Sequence, residues 1–262
     1  MLRKLLKYEL KATARIFLPL YAVLLIFAFI NRLILNPGEF NTPQIISTSI
    51  YFIIMVGMFV MTYVVMIQRF YRNLLSDEGY LMFTLPTTTW RHITSKLLIS
   101  MMWMIASGIA ACASILIIAS GFYMGFWRAM MDAFATFFRF FDVSVALFIV
   151  EIILFGIVGL ASTVLIIYAS IAVGHLFNQH RVLASLGAFL AFSTVSQILF
   201  AIVRPIWATI FMPQPYSTIH DFYAIEPLVH LAIWSGIAFL GVLSAGYFFI
   251  SSYILSKRLN LE

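Results

Sequence analysis

Charged residues and cysteines are scarce in this sequence. Only 10% of its 262 residues are charged and 63% are apolar, whereas soluble domains average about 25% and about 45–50%. One soluble core could not bury that many apolar side chains, so the lipid bilayer must act as solvent for many of them. The single cysteine, Cys112, excludes a disulfide framework and a thiolate metal cluster within the chain. The sequence therefore predicts an integral membrane protein.

Sequence motifs of several enzyme classes are also missing. No GxxxxGK[ST] phosphate loop occurs, and no polar segment is long enough for a nucleotide-binding domain, so the chain should not hydrolyse ATP by itself. His175 and His180 have no acidic residue near them in the sequence, so we predict no metal site and no cofactor in this chain. The pair Ser107–Gly108 is better explained by small-residue helix packing than by a serine nucleophile.

Six apolar runs are each long enough to cross a bilayer as a helix, which takes about 20 residues. They cover roughly 17–35, 45–68, 97–120, 145–173, 182–203 and 231–255. The alternating pattern of a β-barrel is missing from these runs. We therefore predict an all-α polytopic membrane protein with six transmembrane helices, forming a single domain over residues 1–262.

The basic residues indicate the orientation. An even number of spans puts both termini on one side, and that side would hold twelve of the 16 Lys and Arg residues: Arg3, Lys4, Lys7, Lys11, Arg15, Arg69, Arg72, Arg91, Lys96, Arg181, Lys257 and Arg258. The other side would hold four: Arg32, Arg128, Arg139 and Arg204. The positive-inside rule then places both termini in the cytoplasm. The net charge of +6 thus reflects topology, and we expect no nucleic-acid partner.

The N-terminal segment, LRKLLKYELKATARI, has one apolar face and one basic face on a helical wheel. We therefore predict an amphipathic helix over residues 1–16 that lies at the cytoplasmic surface against the membrane lipids. Glu9 falls in the middle of the apolar face, where an unpaired carboxylate is costly. Two explanations stay open: a specific partner, from residues 69–96 or from another protein, or contact with water between the neighbouring lysines.

The longest polar interruption is LLSDEGYLMFTLPTTTWRHITSKLL, residues 74–98. Treated as a helix, residues 74–85 gather their apolar side chains on one face, although Glu78 lies on that face too. Pro86 ends this element, because the residue before a proline is disfavoured in the α conformation. A bare link between two spans needs only a few residues, so the cytoplasmic loop 69–96 has the length of a docking surface.

Two stretches, KYELKATARIFLPLY and EGYLMFTLPTTTWRHITSKLL, resemble the membrane subunits of bacterial ABC-2-type ABC transporters. Those permeases typically have six spans, an amphipathic cytoplasmic N-terminal helix, and an LP-[ST]-x(n)-K-L stretch between the second and third spans. The residues in the matching positions here are Leu85, Pro86, Thr87, Lys96 and Leu97. The resemblance covers the layout of the whole chain, and its motifs cover the first third.

This resemblance implies a permease subunit of an ATP-driven exporter in a bacterial cell membrane. A separate cytoplasmic ABC ATPase would bind ATP and Mg, and a second permease copy or a homologous permease would complete a dimer. The many Phe, Met and Trp residues suit an amphipathic peptide, drug or lipid-like substrate, and they equally suit contact with membrane lipids. The resemblance also implies that residues 69–96 are a coupling loop beside the connecting helix 1–16. The residues that would couple to the ATPase are Glu9, Asp77, Glu78, Leu81, Leu85 and Arg91.

Other classes of function remain open. An ion-coupled secondary transporter needs ionisable residues within its spans, and Glu151 is the only acidic residue well inside one. Glu151 could line a substrate pathway, contact a cationic substrate, pair with Arg128 or Arg139, or reach the outer interface. An intramembrane enzyme is a third class, and a pore-forming or structural subunit also suits six apolar helices.

Three connections lie outside the cell in this topology. Residues 36–44 form a turn-rich link, and the aromatic stretch 121–142 predicts a helix lying in the interface. Residues 204–230 contain prolines at positions 205, 213, 215 and 227, which predicts a break in any single helix there. This last segment is interpreted as an extracellular cap or a re-entrant segment, with an ordinary packed loop as the alternative.

Overall fold

The fold is helical. The structure, a computed structural model, describes residues 2–34, 41–75, 89–122, 125–139, 143–177, 179–211 and 222–257. Within those ranges it has no strand and seven helices: α1 (Leu2–Ile34), α2 (Thr42–Leu75), α3 (Thr89–Phe122), α4 (Phe126–Arg139), α5 (Val143–Gly174), α6 (Arg181–Phe211) and α7 (Phe222–Lys257). By length and composition, six of them can cross a membrane, and only the 14-residue α4 is too short. The predicted all-α class is therefore confirmed, and so is the count of six helices long and apolar enough to span a membrane.

The helices extend further into the connections than predicted. Helix α1 runs from Leu2 to Ile34 without a break, so residues 2–16 and the first span belong to one continuous helix. Neither Gly nor Pro occurs before Pro19, so nothing in the sequence ends the helix early. Helix α2 continues to Leu75 and α3 begins at Thr89, so helices occupy both ends of the predicted loop 69–96.

Helical structure also occupies parts of the other predicted connections. Helix α6 passes through Pro205 to Phe211 and α7 begins at Phe222, so the predicted segment 204–230 is helical at both ends. Its middle, residues 212–221, lies outside the described residues, as do residues 36–40 of the first link. Helix α4 is the helix predicted within residues 121–142, and its location at the membrane surface stays a prediction.

The chain divides into two compact units. Unit 1 comprises Met1–Arg69 and Leu98–Asp142, and unit 2 comprises Phe70–Leu97 and Val143–Glu262. Helices α2 and α3 contribute to both units, because each helix continues across a boundary between them.

Apolar side chains of α1, α2 and α3 form the core of unit 1. One cluster consists of Leu24, Ala28, Tyr51, Met58, Ala110 and Ala111, and a second of Phe17, Val65, Ile99 and Trp103. The rings of Phe17 and Trp103 stack with their centroids 4.5 Å apart. Alanine in the first cluster lets the helices approach closely, as small residues do at helix contacts within membranes.

Hydrogen bonds between side chains join the same three helices at successive levels. The pairs are Thr13–Trp103 at 2.7 Å, Tyr21–Ser107 at 2.9 Å, Thr62–Ser107 at 2.9 Å, Tyr51–Ser114 at 2.7 Å and Asn31–Thr48 at 3.2 Å. Because lipid tails are as apolar as leucine, burial of apolar surface does not drive helices together in a bilayer, and polar contacts gain importance. This series of bonds therefore specifies which faces of α1, α2 and α3 meet.

Helix α5 is the centre of unit 2, because it packs against both α6 and α7, whereas α6 and α7 make little contact with each other. The end of α5 approaches the start of α6 closely at Gly174. A Cβ atom there would lie 2.6 Å from the backbone nitrogen of Ser185 and 2.7 Å from its Cα. At the end of α2, Phe70 stacks on Tyr168 of α5 with a centroid distance of 3.9 Å, and both rings are fully buried.

Large apolar side chains cover much of the surface of the spans. In the most apolar 18-residue windows of α6 and α7, no residue is buried within the protein. Val182, Val242 and Phe249 are each at least 70% exposed. Contiguous apolar surface of this size is rare on proteins surrounded by water, whereas lipid solvates it. The chain is accordingly a multi-pass α-helical membrane protein.

Candidate functional site

The structure describes three of the seven residues that the sequence assigned to functional sites: Glu9, Arg91 and Glu151. The other four lie within residues 76–88, outside the described part of the chain: Asp77, Glu78, Leu81 and Leu85. The predicted helix over 74–85 and its contacts therefore stay predictions.

Glu9 is buried in unit 1 and pairs with Arg69 of α2, whose Nη1 lies 3.4 Å from Glu9 Oε2. Arg69 belongs to the segment 69–96, so the specific basic partner that the sequence left open is present there. The Arg69 side chain is 31% exposed. Because the distance is long and water screens part of the pair, its contribution to the free energy of unfolding is about 1 kcal/mol or less.

The backbone around Glu9 is also tied to α3. Thr13 Oγ1 donates a hydrogen bond of 2.8 Å to the Glu9 carbonyl, and Trp103 Nε1 donates one of 2.7 Å to Thr13 Oγ1. Arg69, Glu9, Thr13 and Trp103 thus form a chain of contacts from α2 through α1 to α3, which we call the helix clamp. The helix clamp therefore connects α2, which ends directly before residues 76–88, with α1 and α3.

Arg91 lies in the first turn of α3 and is half-buried. Its guanidinium carbon is 5.5 Å from the centroid of the Trp90 ring, which is a cation–π distance. His92 and Lys96 follow on the same helix and are buried, with only 1% and 4% of their surface exposed. Both residues belong to the first two turns of α3, which begins at Thr89.

Glu151 of α5 is the centre of a second polar cluster, in unit 2. Its Oε2 lies 2.6 Å from Nδ1 of His230, and its Oε1 accepts a 2.8 Å hydrogen bond from Nε1 of Trp234. The Phe148 ring lies nearly perpendicular to the imidazole of His230, with a centroid distance of 6.4 Å. Glu151 itself is only 6% exposed, so His230 and Trp234 are the groups that satisfy its carboxylate.

His230 and Trp234 were not singled out from the sequence, although a signal for them exists. They are four residues apart on α7, and side chains with that spacing share one face of a helix. The polar atom of each side chain points toward α5. Because α5 packs closely on α7, the Glu151 carboxylate lies within hydrogen-bonding distance of both atoms. Two polar-tipped residues on one face of an apolar span would have indicated a buried partner.

The two histidines considered for metal binding lie after α5. The Nε2 atom of His175 is buried and has no hydrogen-bond partner among the described residues. Burial of His175, reinforced by the positive charge of Arg181, lowers its pKa below the ordinary value. No group of three or more His, Cys, Asp or Glu residues that could hold a metal ion occurs in the described ranges.

Comparison with known proteins identifies no relative. No protein-family model, no curated protein and no solved structure matches this chain. Its functional assignment therefore depends on the residues themselves: the helix clamp in unit 1 and the Glu151–His230–Trp234 cluster in unit 2.

Proposed function

We propose that this chain is the transmembrane permease subunit of an ATP-driven ABC exporter in a bacterial cell membrane, with both termini in the cytoplasm. A separate cytoplasmic ABC ATPase binds ATP and Mg and supplies the energy, so this chain is not an enzyme by itself. A second copy or a homologous permease completes the transporter. The substrate is an amphipathic peptide, drug or lipid-like molecule that leaves the cell.

The helix clamp is the observation that best supports this proposal. A permease driven from the cytoplasm needs a mechanical connection between the docking loop and more than one span. Helix α2 continues as far as Leu75, directly before residues 76–88, and Arg69 links it to Glu9 of α1. Trp103 extends the connection to α3 through Thr13.

The proposed mechanism follows from these contacts. Closure of the ATPase subunits on ATP displaces the predicted coupling segment 74–85, and the continuous helix α2 conveys that displacement into the membrane. The hydrogen bonds of unit 1 make α1 and α3 follow α2, because separating them would leave buried polar groups unpaired in lipid. The two permease halves then alternate between states open to either side.

Purification from native membranes in a mild detergent, followed by mass spectrometry and an ATPase assay, tests the proposal. We expect an ABC ATPase to co-purify with the wild-type chain and to be lost when residues 74–85 are replaced by a Gly/Ser linker. Replacement of residues 36–40, on the opposite side in the proposed topology, is the matched control and should leave the ATPase bound. A well-folded chain that purifies without any ATPase would refute the assignment.

Charge reversal gives a sharper version of the same test. Glu78→Lys should leave membrane insertion intact and uncouple transport from ATP hydrolysis, whereas Glu39→Lys, in the opposite connection, should not. Normal transport by the Glu78→Lys variant with normal ATPase association would contradict the coupling role of the loop.

A second candidate function is favoured by the other polar cluster. An ion-coupled secondary transporter needs an ionisable site within its spans, and Glu151 paired with His230 provides one. Such a carrier would function without an ATPase, so the purification experiment separates the two candidates.

A further inference from the structure

The second polar cluster places an acid and a base together inside a span. Glu151 is the ninth residue of α5, about 12 Å along the helix from its first residue, at a rise of 1.5 Å per residue. A carboxylate at such a depth is costly unless it is hydrogen-bonded or neutralised, and ionisable groups inside membranes are commonly functional. The side chain of Glu151 is 7% exposed and that of His230 is 23% exposed.

The hydrogen-bonding capacities of the three side chains determine where a proton is located. An indole nitrogen only donates, so Glu151 Oε1 must accept from Trp234. The 2.6 Å contact between Glu151 Oε2 and His230 Nδ1 then requires one proton between the two atoms, on either the carboxyl or the imidazole. With that proton the pair is neutral overall. Loss of it, or gain of a second, leaves a net charge inside the span.

We propose that Glu151 and His230 form a membrane-embedded proton-binding site, with Trp234 as a positioning residue. The hydrogen bond from Trp234 to Oε1 fixes the rotation of the Glu151 carboxylate, so that Oε2 is the oxygen that shares the proton with His230. The more exposed imidazole is the group through which the proton exchanges. Because Glu151 lies on α5 and both partners lie on α7, the protonation state of the site alters the attraction between these two helices.

The packed helices carry several other charged or titratable residues. Glu151 is the only Asp, Glu, Lys, Arg or His residue of α5, and α6 has only Arg181 and Arg204, both exposed. Four titratable residues lie at least 13 residues further along their helices than the site residues, roughly 20 Å at 1.5 Å per residue. They are Tyr168 of α5 and Tyr247, Tyr253 and Lys257 of α7. Tyr223 and Glu226 precede His230 on α7, and their side chains are outside the described residues. Glu226→Gln is therefore needed as a control.

Labelling with dicyclohexylcarbodiimide tests the inference, because this apolar reagent modifies protonated carboxyl groups within membranes. The full-length protein is reconstituted in vesicles, labelled across a series of pH values and analysed by mass spectrometry for modification of Glu151. We expect labelling that falls with rising pH through a single midpoint. In His230→Gln the midpoint should differ from that of the wild type, because the imidazole that shares the proton has been removed.

Two variants separate proton binding from a structural role. Glu151→Gln retains an oxygen that can accept from Trp234, so it should fold normally and lose the label at this position. Trp234→Phe should move the labelling midpoint, which a residue that merely fills space would not do. Glu226→Gln should retain the pH-dependent labelling of Glu151, and the exposed carboxyl of Asp132 is an internal reference.

Three outcomes would overturn the inference. They are no labelling of Glu151 at any pH, labelling that does not vary with pH, and the same midpoint in His230→Gln as in the wild type. Each would mean that the pair is a static contact between α5 and α7. None of them bears on ATPase association, so this test and that of the proposed function fail independently.

Discussion

Replacing Tyr21 by Phe and Ser107 by Ala tests the bonds that hold α1, α2 and α3 together. Tyr21 and Ser107 share a 2.9 Å hydrogen bond between hydroxyl groups, and Ser107 is fully buried. Ser107 also bonds Thr62 at 2.9 Å, so it connects α1 and α2 through α3. Tyr21→Phe removes only an oxygen atom and retains the ring, which makes the change conservative.

The expected magnitude follows from the environment of this bond. Polar contacts between membrane helices contribute about 0.6 kcal/mol on average and about 1.7 kcal/mol at most in double-mutant cycles. Tyr21 retains a 3.3 Å bond to the Trp103 carbonyl when Ser107 is replaced, which limits the loss. We therefore expect a coupling energy of about 0.6–1.7 kcal/mol between the two substitutions.

The assay is reversible unfolding in mixed micelles, from which the free energies of unfolding of the wild type, both single variants and the double variant are obtained. The matched control combines Tyr21→Phe with Ser114→Ala. Ser114 lies seven residues further along α3 and bonds Tyr51 instead. That pair should be additive within about 0.5 kcal/mol. A Tyr21–Ser107 coupling no larger than that of the control would refute the argument that this bond joins the helices.

Three further perturbations have expected outcomes. Gly174→Ala should destabilise the protein by more than about 1 kcal/mol in the same unfolding assay, because its Cβ would meet the backbone of α6. Gly187→Ala, with no atom within 4 Å, should be neutral or slightly stabilising. The pKa of His175 is lowered in the folded state, so only the unfolded state takes up the proton just below about pH 6.5. The free energy of unfolding should therefore be unaffected by this residue above about pH 6.5 and should fall below it. Combining Glu9→Arg with Arg69→Glu should restore an ATPase association that Glu9→Arg alone weakens.

Each of these expectations has a result that would contradict it. Equal unfolding free energies for Gly174→Ala and Gly187→Ala would show that α5 and α6 are not in close contact at that point. Comparison of His175→Gln with the wild type at pH 7.5 and 5.5 isolates the contribution of this imidazole, and an unchanged pH dependence would exclude it. Failure of the reversed charge pair to recover association would mean that Glu9 acts through another partner.

Composition and hydrophobic run length determined the class of the protein and the number of its spans. Runs of about 20 apolar residues satisfy their backbone hydrogen bonds only as helices in lipid, so the six spans could be counted without a structure. Helix ends were less predictable. Without a Gly or Pro before Pro19, nothing marked a boundary between residues 1–16 and the first span, and α1 continues through it.

Tertiary structure decided which polar residues meet. Glu9 was recognisable from its place on an apolar face, but Arg69 as its partner depends on α1 lying against α2, 60 residues away along the chain. Glu151 stood out as a carboxylate in a span, whereas His230 and Trp234, 79 and 83 residues later, became its partners only because α5 packs on α7. A helical wheel gives the direction of each side chain within one helix. Helix packing sets the distance between atoms on different helices, and those distances define both clusters.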